Sequence, residues 1–388
     1  MMNNSPTETK LHQHRSHFLA LANKSYFNYG GQGPLPQGGI DAIHQAQIQM
    51  QHSGPFASQV YTWQLKEAAS TRHAIASELN VSPQTITLTE NVTMGCNIAM
   101  WGINWQAGDH LLLTDCEHHA VIAIAQAIQQ RFRVEVTTCP ILNATNPTAV
   151  IQQHLRPNTR LVAISHVLWN TGEVLEVDKI AQICSKNQTR LLVDAAQSVG
   201  MLPLNLTDLG VDFYAFTGHK WLCGPAGLGG LYVSPSAQDS LQPTFVGWRS
   251  VTTDIEGQPQ NLQPHGERYE IATSDYPLMA GLRNAIALHN QWGNAEVRYQ
   301  QILQNSEYLW RKLSQLQHVK CLLNSPPPSG LISFQLSSRE RQTPLVKHLE
   351  TQGLFVRTIA KPDSVRACVH YFTSESEMDQ LVVEIEKF

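Results

Sequence analysis

The sequence lacks the features that would place the protein in a membrane or on nucleic acid. Charged residues make up only 15% of the 388 residues. The net charge is −4, and the sequence contains no block of basic residues. Nucleic acid and anionic membranes are therefore not expected as partners. No apolar run reaches the roughly 18 residues that a membrane-spanning helix needs. Residues 1–10 are polar and lack the apolar core of a secretory signal.

Paired cysteines are also missing. The seven cysteines are scattered without a CxxC motif, and such an odd, dispersed set is typical of reduced thiols rather than of a disulfide framework. Together with the polar N-terminus, this predicts a cytoplasmic protein. Hydrophobic residues amount to 42% of the chain, which is the composition of a globular protein.

Short apolar runs alternate with helical stretches through the middle of the chain. The runs are residues 85–88, 111–114, 134–138, 161–165, 191–194, 213–217 and 229–233. This order predicts an α/β fold with a mostly parallel seven-stranded sheet and helices on both faces. Ligands of such sheets bind at the carboxyl ends of the strands.

The pattern changes near residue 260. Two long helical stretches are followed by strand-like segments at 331–336, 354–358 and 365–371 and by a final helix. We therefore expect a large domain of residues 21–260. A smaller α+β domain would be formed by residues 1–20 and 261–388.

Two strand ends carry candidate chemistry. Asp194 ends one apolar run, and Lys220 follows another just before a glycine-rich loop. Alone, the aspartate would be read as a helix cap and the lysine as a surface residue. Together they suit an electron-sink cofactor, pyridoxal 5'-phosphate (PLP). A desolvated lysine can form the covalent link, and an acid can keep the pyridine nitrogen protonated.

Further candidates surround this pair. Gln197 is placed to contact the phenolate oxygen, and Thr217 and His219 are candidates for the phosphate. Thr93 lies in the turn before a helix, where free amides bind phosphate, although ordinary capping by Thr89 or Asn91 explains this turn equally well.

The segment 115–119 places Cys116 beside His118 and His119, as zinc ligands often are. No second ligand pair with matching spacing accompanies them, so no metal is expected. A ring stacked on the cofactor is the preferred role for His118.

These residues resemble the class V aminotransferase-like family of fold-type I PLP enzymes, which includes the cysteine desulfurases. The motifs are Glu117-His118, Asp194-Ala195-Ala196-Gln197, Thr217-Gly218-His219-Lys220, Arg357 and Arg366. The resemblance implies that His118 stacks on the cofactor ring and that Asp194 pairs with its nitrogen. It implies that Gln197 contacts the phenolate oxygen, that Lys220 carries the cofactor, and that the two arginines hold a substrate carboxylate.

Within the family, the motifs most resemble the cyanobacterial L-cysteine/L-cystine C–S lyases. The shared stretches are residues 28–33, 93–98, 168–172, 217–221, 246–250 and 356–360. This likeness implies a homodimer with its active site at the interface, in which Thr273 reaches the neighbouring subunit's phosphate. Asn170 and Trp248 are candidates for the substrate site, although core packing explains Trp248 and Tyr29 equally well.

A lyase is favoured over a desulfurase by a missing cysteine. Desulfurases carry a nucleophilic cysteine on a mobile loop between the two arginine segments, but residues 358–365 are short and contain none. Cys368 follows Arg366 in an apolar pattern and is expected to be a small core residue, while the reactivity of Cys223 is left open.

The expected activity is β-elimination of cystine or cysteine to pyruvate, ammonia and cysteine persulfide or sulfide. By resemblance, the persulfide supplies a sulfur acceptor in iron–sulfur cluster assembly. The alternatives are a desulfurase that yields alanine, another class V chemistry, and a binding protein that has lost catalysis.

Overall fold

The computed structural model describes residues 6–388. Its strands, in chain order, are β1 (Ser25–Tyr26), β2 (Ile86–Thr89), β3 (His110–Thr114), β4 (Glu135–Cys139), β5 (Thr159–Ser165), β6 (Arg190–Asp194), β7 (Phe213–Thr217), β8 (Gly229–Val233), β9 (Val251–Thr253), β10 (Pro259–Leu262), β11 (Val319–Cys321), β12 (Leu331–Leu336), β13 (Leu354–Phe355), β14 (Arg357–Ala360) and β15 (Asp363–Cys368).

The α-helices of the same residues are α1 (Pro6–Arg15), α2 (Gln37–Ser53), α3 (Ser58–Leu79), α4 (Val92–Trp101), α5 (His119–Phe132), α6 (Pro147–His154), α7 (Val177–Lys186), α8 (Leu206–Leu209), α9 (Pro235–Gln238), α10 (Tyr276–Trp292), α11 (Ala295–Ser314), α12 (Gln342–Thr351) and α13 (Glu375–Lys387). None of them is long and apolar enough to cross a membrane.

The large sheet has seven strands in the order β2-β8-β7-β6-β5-β3-β4. The pairs from β7 through β6, β5 and β3 to β4 are parallel, and β8 is antiparallel to both β7 and β2. The predicted mostly parallel, seven-stranded sheet is therefore confirmed, because each apolar run of the sequence became one of its strands.

Both faces of this sheet are covered. In β3, Leu112 packs into one hydrophobic core, whereas its neighbours Leu111 and Leu113 pack into another. Successive side chains of a strand point to opposite faces, so a strand with apolar residues in succession must be buried on both sides. Every position of β3, β7 and β8 is buried accordingly.

A second sheet of four antiparallel strands has the order β11-β12-β15-β14. Apolar residues of α11, α12 and α13 share its core. The single strand predicted for residues 354–358 is wrong, since the chain forms two strands there. β13 pairs in parallel with β1, and β14 pairs with β15. Each half has a different partner, which local sequence does not encode.

The N-terminal segment and α10 join the two sheets. Phe18 stacks on Phe372 with ring centroids 4.8 Å apart, and Arg15 pairs with Glu377 at 2.7 Å. α10 packs along α2 and contributes Leu282 to the core of the large sheet. The domain boundary predicted at residue 260 stays a prediction.

Candidate active site

Asp194 and Lys220 lie at the carboxyl ends of two neighbouring strands. Asp194 is the last residue of β6, and Lys220 follows β7 by three residues. The two strands are paired in parallel, with Asp194 opposite Ala215. Asp194 is buried, and its Oδ1 accepts a hydrogen bond from the Ala196 amide at 2.9 Å. Adjacent parallel strands thus bring the two predicted residues to one edge of the sheet.

The environment changes the proton affinity of both groups. Burial lowers the pKa of Lys220 to about 8, Asp194 opposes this shift, and the positive charges of Arg366 and Arg357 add to it. Burial raises the pKa of Asp194, while the Ala196 amide and Lys220 counteract that rise. Within residues 6–388 the Lys220 ammonium has no hydrogen-bond or ion-pair partner. An amine of this kind is a ready nucleophile and base near neutral pH.

His118 is the N-cap residue that precedes α5. Its Nδ1 accepts the Ala120 amide at 3.3 Å, and its ring meets Trp169 edge to face at 5.8 Å. Burial, followed by the charges of His119 and Lys220, lowers its pKa to about 4. A neutral imidazole in this place suits stacking on a cofactor ring. Within residues 6–388, no three His, Cys, Asp or Glu side chains form a metal-binding group.

Glu117 is a site residue whose role sequence reasoning missed. Its carboxyl accepts the Thr114 hydroxyl at 2.5 Å and both the amide and the hydroxyl of Ser165, at 3.1 and 2.8 Å. Burial raises its pKa to about 8. Ser165 of β5 is paired with Asp194 of β6. Glu117 therefore links the turn that contains His118 to β5 by hydrogen bonds. Its place directly before His118 was the available signal.

The segments that contain the candidate phosphate-binding residues lie close to Gly229. A Cβ at Gly229 would lie 3.1 Å from the Cα atoms of both Asn91 and Thr217, so the start of α4 and the end of β7 lie side by side. The Thr217 hydroxyl is 2.7 Å from Nδ1 of His219. Asn91 caps α4 by accepting the Met94 amide, which bears out the capping explanation for that residue. Thr93 lies in the first turn of α4.

Arg366 is the buried arginine of the site. It is only 2% exposed, and burial lowers its pKa. Its Nη1 donates to the Trp169 carbonyl at 2.7 Å, whereas its Nε has no partner. A Cβ at Gly30 would lie 2.8 Å from Nη2. Only glycine can therefore stand at position 30 while this guanidinium keeps its place.

The other residues predicted for the substrate and phosphate sites differ in how deeply they are buried. Asn170 is buried, donates to the Lys361 carbonyl at 3.1 Å and leaves its Oδ1 without a partner. Arg357 is exposed. Trp248 is 53% exposed and Thr273 is exposed. Within residues 6–388, no hydrogen bond or ring contact joins Trp248 or Thr273 to the Lys220 site.

Tyr29 takes the core-packing role. It is 1% exposed and stacks on Trp221 with ring centroids 6.1 Å apart.

Cys368 is fully buried in the core, as predicted. Cys223 is also buried, and burial raises its thiol pKa. Neither thiol is exposed at the surface, where a cysteine on a mobile loop would be.

The hairpin between the arginines is short. Arg357 pairs with Arg366 and Ala360 pairs with Asp363, which leaves a turn of only Lys361 and Pro362. The interval therefore forms two paired strands, and there is no loop in it to carry a cysteine.

The residues present fit PLP. The buried Asp194 can hold the proton of the pyridine nitrogen. Lys220 is a half-buried amine that has no hydrogen-bond or ion-pair partner within residues 6–388. The orphaned Nε of Arg366 and Oδ1 of Asn170 are polar atoms that need ligand partners, since burying them unpaired is costly. Fold and site together define a fold-type I PLP enzyme.

Comparison with known proteins gives the family. The chain belongs to the class-V aminotransferase family, whose model matches residues 26–381. A probable cysteine desulfurase of Methanothermobacter thermautotrophicus is 27% identical over 341 residues, which cover 84% of either chain. The predicted family, fold class and cofactor are thereby confirmed.

Two solved structures of C-DES are more similar, each 48% identical and covering 96% of this chain and 99% of the other. One is a lysine-to-alanine variant with glycine covalently linked to the PLP cofactor, with a TM-score of 0.94. The other is described as the cystine C–S lyase C-DES in complex with its reaction product, cysteine persulfide, with a TM-score of 0.92.

Proposed function

We propose that the protein is a PLP-dependent C–S lyase that eliminates the sulfur substituent of L-cystine, and of L-cysteine, from the β-carbon. The observation that carries the proposal is the tight hairpin between Arg357 and Arg366, which excludes a cysteine loop. The half-buried Lys220 and the buried Asp194 remain for the elimination chemistry. The likeness to the cystine lyase C-DES supports the same activity.

Residues of the site bind the substrate and move its protons during the proposed elimination. PLP, when bound, supplies the electron sink that makes the Cα proton of an amino acid acidic. Arg366 holds the α-carboxylate through its free donors, in a buried place where a charge-assisted hydrogen bond is strong. Lys220, whose pKa is about 8, takes the Cα proton. Asp194 would hold the proton on the ring nitrogen of bound PLP, and His118 would pack against the ring.

The overall reaction consumes one water. Cystine and water give pyruvate, ammonia and cysteine persulfide when the Cβ–S bond breaks and the released enamine hydrolyses. Cysteine gives sulfide instead. Because a persulfide is a better leaving group than sulfide, we propose cystine as the better substrate.

The experiment is product analysis without added thiol. Purified protein with cystine should form pyruvate and an alkylation-trapped cysteine persulfide in equal amounts. Alanine as the sole product would instead identify a desulfurase. Lys220→Ala should abolish turnover and the visible absorbance of the covalently held cofactor, while Lys66→Ala on the exposed face of α3 should retain both. Full activity of Lys220→Ala would refute the mechanism.

We propose a homodimer in which Thr273 approaches the neighbouring subunit's phosphate. Three exposed apolar residues support a covered surface here, namely Phe245 (63%), Trp248 (53%) and Ile271 (41%). Thr273 lines a cavity of about 270 Å³ with Thr89 and Phe245. Light scattering should give twice the mass of the chain, and Thr273→Ala should weaken PLP binding. A monomer with full activity would exclude this arrangement.

We also propose a cytoplasmic role in sulfur supply, in which the persulfide passes to an iron–sulfur assembly protein. Seven free cysteines without a disulfide support a reducing compartment. The test is reconstitution of an apo iron–sulfur protein from cystine and ferrous iron, with a thiol reductant that converts the persulfide sulfur to sulfide. Cluster formation should depend on the enzyme, and equal yield with the Lys220→Ala variant would refute the role.

A further inference from the structure

The Gln197 amide is held at both ends by groups whose hydrogen-bonding roles are fixed. Its Nε2 donates to the Gly30 carbonyl at 2.9 Å, and its Oε1 accepts from the Trp221 indole nitrogen at 2.9 Å. The side chain is 4% exposed, so no bulk water competes for either contact.

These contacts define which way the amide faces. A carbonyl oxygen can only accept and an indole N–H can only donate, so a flipped amide would set oxygen against oxygen and N–H against N–H. The NH₂ group therefore faces Gly30, on the side where the Arg366 guanidinium lies. One of its two N–H bonds serves the Gly30 carbonyl, and the other remains for a ligand.

Trp221 is itself immobilised. Its side chain is fully buried and stacks on Tyr29, and its carbonyl accepts from Nε2 of His370 at 3.0 Å. A Cβ at Gly330 would lie 2.6 Å from the indole ring, so the ring is packed on that side as well. The indole N–H consequently has one direction available, toward Gln197.

We propose that Trp221 is a positioning residue for the cofactor, acting through Gln197. The indole N–H would keep the amide NH₂ turned toward the phenolate oxygen of bound PLP. This inference rests on the proposed function, because it requires PLP in the site. A donor there stabilises the negative oxygen and weakens its hold on the proton that it shares with the covalent link. The pH midpoint of the cofactor absorbance is thereby lowered.

A double-mutant cycle tests the route of this effect. Holoenzyme spectra are titrated with pH for the wild type, Trp221→Phe, Gln197→Ala and the double variant. Trp221→Phe should raise the midpoint by about 0.5 to 1 pH unit, the equivalent of one net hydrogen bond. Gln197→Ala should raise it at least as far. In the Gln197→Ala background, Trp221→Phe should add almost nothing, because the residue it orients is gone.

Trp105→Phe is the matched control. Trp105 is also buried and donates its indole N–H to the Met100 carbonyl at 2.8 Å. Within residues 6–388 its side chain forms no hydrogen bond or ring contact with a residue of the site. Its loss should leave the midpoint unchanged. If Trp221→Phe fails to fold, the benzothiophene analogue of tryptophan at position 221 keeps the ring volume and removes only the N–H.

The outcomes separate the two proposals. A wild-type protein that binds no PLP would overturn the proposed function. A normal wild-type titration with an unshifted position-221 variant would overturn the positioning role alone. An equal shift of the pH midpoint on changing Trp221, with or without Gln197 present, would also overturn the positioning role. The shift would then arise from altered packing and not through Gln197.

Discussion

Arg357 and Arg366 are directly paired across the β14–β15 hairpin, yet one side chain is exposed and the other is buried. Residues opposite each other in an antiparallel pair point to the same face, so both arginines face the site. Arg366 lies beneath, against Gly30 and Trp169, and Arg357 lies at the rim. If the two arginines hold the substrate carboxylate as proposed, this difference in depth divides the binding unequally between them.

Substrate binding should therefore depend more on the deeper arginine. Arg366→Ala should raise KM roughly 10- to 100-fold, as expected for the loss of a buried charge-assisted hydrogen bond, and Arg366→Lys should recover only part of it. Arg357→Ala should have a smaller effect. The measurement is pyruvate release over a range of cystine concentrations. Arg339→Ala is the control, because the Arg339 side chain is 81% exposed and pairs only with Asp363 among residues 6–388. Equal losses of PLP and cystine affinity would argue against a carboxylate role.

Asp194→Asn should lower kcat on the order of 100- to 1000-fold, because an amide cannot hold a proton on the ring nitrogen. The pKa of Lys220 should also fall further, since the charge of Asp194 raises it. Stopped-flow absorbance separates the chemical step from binding. Asp212→Asn changes the aspartate that pairs with Arg190 at the other end of β6 and should leave kcat unchanged. A normal kcat in Asp194→Asn would exclude the proposed pairing.

Glu117 makes stability depend on pH. Burial raises its folded-state pKa to about 8, while an unfolded glutamate has a pKa near 4.3. Between these values the folded state binds the additional proton, so the contribution of Glu117 to the free energy of unfolding is complete below about pH 4 and is lost as pH rises toward about 8. The slope is at most about 1.4 kcal/mol per pH unit.

Glu117→Gln should flatten this part of the curve, because the amide cannot ionise. Urea unfolding at several values between pH 5.5 and 8.5 measures the slope, and Glu340→Gln, an exposed side chain, should leave it as in the wild type. An unchanged slope in Glu117→Gln would show that other groups cause it.

The lyase should not need its cysteines. Cys368→Ala and Cys223→Ala should retain pyruvate formation from cystine, although each is expected to cost about 1 kcal/mol of stability. Cys321→Ala removes a half-buried thiol that packs against the core of the four-stranded sheet and serves as the control for that loss. Pyruvate and persulfide should both be assayed. Complete inactivation of a folded Cys368→Ala variant would favour thiol-dependent desulfuration instead.

Much of the fold was readable from local patterns. Uninterrupted apolar runs became the strands of the large sheet, since a strand covered on both faces needs apolar residues in succession. Asp194 and Lys220 could be assigned together because each follows such a run, and the carboxyl ends of parallel strands share one edge. The missing cysteine between Arg357 and Arg366 was likewise visible without a structure.

The sequence by itself thus determined the strands of the large sheet, the family and the placement of Asp194 and Lys220 at the ends of two neighbouring strands. Only the tertiary structure decided that Arg366 is buried while Arg357 is exposed, that residues 354–358 divide between two sheets, and that Trp221 holds the Gln197 amide. These features depend on contacts between residues far apart in the chain. Burial and hydrogen-bond direction follow from which segments meet, and no local pattern records that.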